Sequence, residues 1–150
     1  MNRLLSAVLA APLALVSHAT MAAEAHDWAA VTHALQHGQR VTLVTDFAQC
    51  RTPTGAGGPP LVGGLPIASF QLAGNALVFS EYHPTVLAST GARVDEFIRY
   101  RAQADQTLTV SVFQSPPGME KPTQIGEYQC VIGQGAKFYV GHRWGGEDRG

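Results

Sequence analysis

Histidines, two cysteines and a charged strand are the residues best equipped for chemistry in this chain of 150 residues. His33 and His37 stand four apart, the spacing by which two imidazoles on one helix face meet a single metal. The intervening residues are Ala34-Leu35-Gln36, without the glutamate that serves as general base in zinc proteases, so a solvated helix face is the plainer reading. His26 follows Glu24-Ala25. A cut after Ala23 would create a terminus whose amine, two amides and imidazole can ring a square-planar Cu(II), and a cut after Ala25 would expose an N-terminal histidine. His83 lies in Ser80-Glu81-Tyr82-His83-Pro84, where hydroxyl, carboxylate and imidazole are close in sequence. Adjacent strand residues point to opposite faces, so that closeness alone does not assemble a catalytic array.

Other chemistry is less well supported. Arg93, Asp95, Glu96, Arg99 and Arg101 place both signs on one strand; an exposed face with cross-strand pairs accounts for them, and a groove using Arg99 and Arg101 is the sharper alternative. Ser80 and Ser111 lack a nucleophile-elbow context. The glycines of Thr52 to Gly64 are not followed by Gly-Lys-Ser or Gly-Lys-Thr, so they are no phosphate cradle and read as a long mobile loop. No catalytic residue and no cofactor is expected. Net charge is −1 with Lys and Arg scattered, which argues against a nucleic-acid partner.

The elements that must position these residues begin after a leader. Arg3, the apolar run Leu4 to Val16 and small residues up to Ala25 have the three-part layout of a signal peptide. The run is interrupted by Pro12, Ser17 and His18, whereas a membrane span needs about 20 apolar residues. The expectation is therefore a cleaved leader over 1–25, with the cut after Ala19, Ala22, Ala23 or Ala25, one domain over 26–141 without a membrane anchor, and a polar tail over 142–150 that Trp144 could dock. About 125 residues suffice for one core. Delivered to an oxidising compartment, periplasmic or secreted, Cys50 and Cys130 most simply form one bridge; two cysteines alone would not complete a metal site.

Asp27 can cap a helix through His37, with Trp28, Val31 and Leu35 on one side and Gly38 as its stop. Val41 to Thr45 is β-branched and suits a strand. Strands follow at Ile67 to Leu72, Ala76 to Ser80, Val94 to Arg101, Leu108 to Phe113, Tyr128 to Ile132 and Lys137 to Val140, with Gly74-Asn75 as a hairpin turn. The fold expected is mainly β, an antiparallel meander closed as a barrel or left as a curved sheet, with one N-terminal helix. Closed around a cavity, with Ile67, Phe70, Leu77, Phe79, Ile98 and Val110 facing inward, it would carry a small apolar ligand.

Several segments taken together resemble the VirK family of small exported bacterial proteins. They are the Trp-led helix, LQHGQRVTLVTDFAQC ending at Cys50, GGLPIASFQL, NALVFSEYHPTV, VDEFIRYRAQADQTLTVSV and YQCVIGQGAKFYV around Cys130. The resemblance implies an exported protein associated by name with virulence genes and a structural role for both cysteines. It supplies no catalytic residue. The function expected is binding of an unknown protein or small molecule rather than catalysis.

Overall fold

The computed structural model describes residues 22–87, 89–119 and 121–143, so the expectations for the leader before residue 22 and for Trp144 fall outside the described residues. Helix α1, Trp28–Gln36, begins where the Asp27 side chain accepts the Ala30 N–H at 2.8 Å. It ends at His37 and Gly38, whose φ of 69° is the left-handed conformation a glycine stop provides. Its Val31, Ala34 and Leu35 enter the core.

Two antiparallel sheets form the body. The first has the order β1 (Ala23–Ala25), β9 (Ala136–Arg143), β2 (Gln39–Asp46), β3 (Val62–Pro66). The second is a meander of β4 (Gln71–Ala73), β5 (Ala76–Val86), β6 (Arg93–Gln103), β7 (Thr107–Ser115) and β8 (Thr123–Val131). The expected meander is present as this second sheet, and the two sheets do not close into one barrel. One continuous buried cluster joins helix and sheets, with Leu43 and Phe138 from the first sheet and Leu77, Leu108 and Val110 from the second.

Register organises the inner face of the meander into cross-strand rows. Leu77, Ala102, Leu108 and Cys130 form the first, and Phe79, Tyr100, Val110 and Tyr128 the second. Glu81, Ile98, Val112 and Gly126 form the third, and His83, Glu96 and Gln114 the fourth. Successive rows are two residues apart, about 7 Å. The first is sealed in the core, and polarity rises toward the fourth.

Cys50 and Cys130 are joined by a disulfide, and both are fully or almost fully buried. The bridge links the 3-10 turn Phe47–Gln49, which follows β2, to β8. It therefore ties one sheet to the other. Beside it, Arg51 and Gln129 exchange backbone hydrogen bonds at 2.8 and 2.7 Å.

Four elements differ from expectation. The strand expected over Ile67 to Leu72 is confined to β4, which begins only at Gln71. The glycine and proline segment is tied down rather than mobile: Gly58 N–H donates to Cys50 O, Phe47 N–H to Leu61 O, and Val62–Pro66 pairs with β2. Pairing with Leu43 and its neighbours supplies what this apolar-poor strand lacks in side chains. Strand β5 runs through Pro84 to Val86 instead of turning there; β4 covers only Ala76 to Val78, so Pro84 lies on an uncovered edge where no ladder donor is required. Finally, Ala23–Ala25 is a strand paired with β9, and β9 extends to Arg143, so the sheet reaches past both ends of the 26–141 span.

Candidate functional site

The sheets diverge over the third and fourth rows, and a cleft of about 480 Å³ lies there. One wall is the segment Phe47 to Gly64, contributing Phe47, Pro59, Leu61 and Val62; the other is the inner face of β5 to β8. Phe47 meets Tyr128 edge to face at a centroid distance of 5.1 Å, which closes the cleft toward the core.

The polar floor comes from strand alternation. Glu81 and His83 are two apart on β5 and share the inner face, as do Glu96, Ile98 and Tyr100 on β6. His83 Nε2 is 3.5 Å from Glu96 Oε1, and its Nδ1 is 3.9 Å from Glu81 Oε1. Glu96 Oε2 accepts the Gln114 side-chain amide at 2.7 Å, which fixes the carboxylate. Neither Glu81 nor the buried His83 Nδ1 makes a hydrogen bond among the described residues, and the two face each other. Tyr100, 5% exposed, stacks on Phe79 at 4.9 Å. Its phenol is pushed well above the usual tyrosine range by burial, and further by the charges of Glu81 and Glu96.

Tyr82 and Ser80 lie on the opposite face of β5, so the hydroxyl does not join the imidazole and carboxylate. Arg99 and Arg101 also face outward. Arg99 sits 4.6 Å from the centroid of Phe113 and lines a shallow hollow with Phe70, Val78 and Phe97, separated from the cleft by the sheet. That is the exposed face expected of a mixed-charge strand rather than a groove shared with His83.

The apolar cavity expected along the sheet is filled. Ile67, Leu77, Phe79, Ile98 and Val110 are packed in the core, and Phe70 is 37% exposed on the outer side. Of the six, Ile98 alone lines the cleft. His33 and His37 stack with ring centroids 4.0 Å apart and planes 26° from parallel, and His37 Nδ1 is 2.8 Å from the His33 carbonyl. Stacked rings do not aim two nitrogens at one ion, and no group of three metal-ligating side chains is present among the described residues. His26 lies beside Glu24 at 3.6 Å, directly after β1. A copper chelate there would need Glu24-Ala25-His26 to leave the sheet, although Ala25 is buried in it.

Sequence reading missed Tyr100, Gln114 and the wall Leu61-Val62. Alternation was the available signal: Leu77, Phe79, Glu81 and His83 form one face that turns from apolar to polar at Glu81. The partners on β6 and β7 depend on register, which no single strand reveals.

Comparisons place this geometry among known proteins. The family model described as VirK protein matches residues 24–118. The crystal structure of a VirK family protein from Legionella pneumophila is similar to the chain, with a TM-score of 0.64 at 16% identity over 77% of this chain and 97% of that one. At that identity the likeness concerns the fold. Among curated proteins, none matches the chain in sequence.

Proposed function

The chain belongs to the VirK family, and from that premise we propose that it is an exported, disulfide-stabilised binding domain whose ligand site is the cleft between the sheets. The observation that carries the proposal is an opening of about 480 Å³ in an otherwise filled two-sheet core, within the roughly 300–1,000 Å³ of small-molecule sites. Apolar walls with a few converging polar groups at the floor are what such sites present. Binding rather than catalysis is favoured because Tyr82 and Ser80, the hydroxyls nearest His83 in sequence, sit across the sheet from it.

A buried disulfide suits the periplasm or a secreted destination. No helix among the described residues is long and apolar enough to cross a membrane. A role in host association rests on the family name.

Native mass spectrometry of the oxidised protein recovered from its own envelope tests the proposal. We expect a small-molecule adduct on the wild type that is absent from Val112→Phe, a substitution that fills the cleft from β7. Equal adducts on both proteins, or none on either, would refute the cleft as the ligand site.

A further inference from the structure

Resting on the cleft reading above, we propose that the ligand is an amphipathic organic cation, an ammonium or guanidinium group on a short apolar body that enters the cleft head first. The floor gathers two carboxylates and a phenol at the inner end of a cleft with apolar walls. Tyr100 is 95% buried, counting from its 5% exposure, yet its hydroxyl has no hydrogen-bond partner among the described residues. That oxygen is not among the atoms sealed from solvent without a partner, so it opens on the cleft, where a ligand group can meet it.

Two further acceptors, the carboxylates of Glu81 and Glu96, line the same cleft. Glu81 is unclaimed by any hydrogen bond among the described residues, and Glu96 is held by Gln114 through one oxygen only. His83 directs Nε2 toward Glu96 at 3.5 Å. Two carboxylates and a phenol oxygen match the several donors of an ammonium or guanidinium group. Among the described residues no lysine or arginine lines the cleft to neutralise the carboxylates.

The entrance has the opposite character. Leu61, Val62 and Ile125 are each more than half exposed and stand on the two sides of the opening. An apolar body would cover them while the charged head reaches the floor. Other ligand classes fit worse. An anion would meet two carboxylates, and a neutral apolar molecule would strip water from them without replacing it.

The test is calorimetric titration of the oxidised wild-type protein with hexylamine, hexan-1-ol and hexanoate at neutral pH. These probes share one apolar body and differ in head group. Hexylammonium should bind about tenfold or more tighter than hexanol, as charge-assisted hydrogen bonds predict, and hexanoate weakest. In Glu81→Gln/Glu96→Gln that preference should vanish while hexanol binding persists, which shows that the altered site is still folded. If the double variant does not fold, salt supplies the second measurement: hexylammonium affinity in the wild type should fall with added NaCl and hexanol affinity should not. Hexanol or hexanoate binding as tightly as hexylammonium, or no difference in salt response, would overturn the cationic ligand and leave the cleft reading intact. Absence of binding by all three would overturn both.

Discussion

The backbone N–H of Trp28, the first residue of the helix, donates to the side-chain carbonyl of Gln106 at 2.9 Å across 78 residues of sequence. Gln106 has a φ of 68°, and among the described residues it is the only non-glycine with positive φ. It sits in the β6–β7 turn, and its own carbonyl accepts the Ile132 N–H. One strained residue thus secures the helix start, a hairpin turn and the exit from β8. Gln106→Ala keeps the unfavourable φ and loses the side-chain bond, and should cost about 1–2 kcal/mol in urea unfolding. Gln106→Gly loses the same bond but relieves the backbone, so it should be the milder change by about 1 kcal/mol. Equal losses would show that the backbone conformation carries no strain.

Tyr100 sets an alkaline limit. Its phenol is held above the ordinary tyrosine value by burial first, then by Glu81 and Glu96. Above pH 10 the unfolded chain releases this proton while the folded chain keeps it, so stability is unaffected by this group below pH 10 and declines as pH climbs toward the raised value. Between pH 9 and 11 the wild type should lose about 1 kcal/mol more than Tyr100→Phe in urea denaturation. Parallel pH profiles for the two proteins would contradict it. Phenylalanine removes a hydroxyl that makes no hydrogen bond among the described residues, so at neutral pH the variant should be about as stable as the wild type.

Gly58 holds one wall of the cleft in place. A Cβ there would lie 2.1 Å from the Phe47 carbonyl oxygen and 3.4 Å from the Tyr128 ring. The obstacle is backbone, which cannot step aside. Gly58→Ala should therefore destabilise by about 1–3 kcal/mol and weaken cleft binding together. Gly55→Ala is the control: its φ of 85° carries a conformational penalty of about 1–2 kcal/mol, but open space surrounds it and binding should be unchanged. Binding that responds equally to both would separate the wall from Gly58.

Should the leader expected from the sequence be removed, β1 sets a downstream limit to the cut. Ala23, Glu24 and Ala25 pair with Val140, Tyr139 and Phe138, and Ala25 is 6% exposed. Removal of these residues would uncover the edge of β9 and part of the core. We expect processing no later than Ala22, read by mass spectrometry of the exported protein. A start at His26 with unchanged thermal stability would show β1 to be dispensable.

The helix was legible because its signals are local: Asp27 caps it and Gly38 stops it within the residues themselves. The meander was legible because β-branched and aromatic runs alternate with turn residues, and Gly74-Asn75 forms the hairpin between β4 and β5 as its composition predicts. Strand β3 was not, since Val62-Gly63-Gly64-Leu65-Pro66 has no strand pattern and owes its conformation to β2. The site was half legible. Glu81 and His83 were visible as chemistry, but Tyr82 between them suggested a trio that the pleat divides. Glu96, Tyr100 and Gln114 become their neighbours only through pairing between strands far apart in sequence.

The bridge between Cys50 and Cys130 bears on when the cleft can work as well as on how it is built. Phe47, in one wall, leaves β2 just before Cys50 and holds Leu61 through a backbone hydrogen bond, and the facing wall reaches Gly126 and Tyr128 just before Cys130. Oxidation of two sulfurs at the sealed end sets the spacing of two surfaces about 20 Å farther along the strands at the His83 row. While its thiols are still reduced, the chain has every residue of the site but no covalent clamp on the gap between them. Were the cleft the ligand site proposed above, capture would await an oxidising milieu in which the bridge can form.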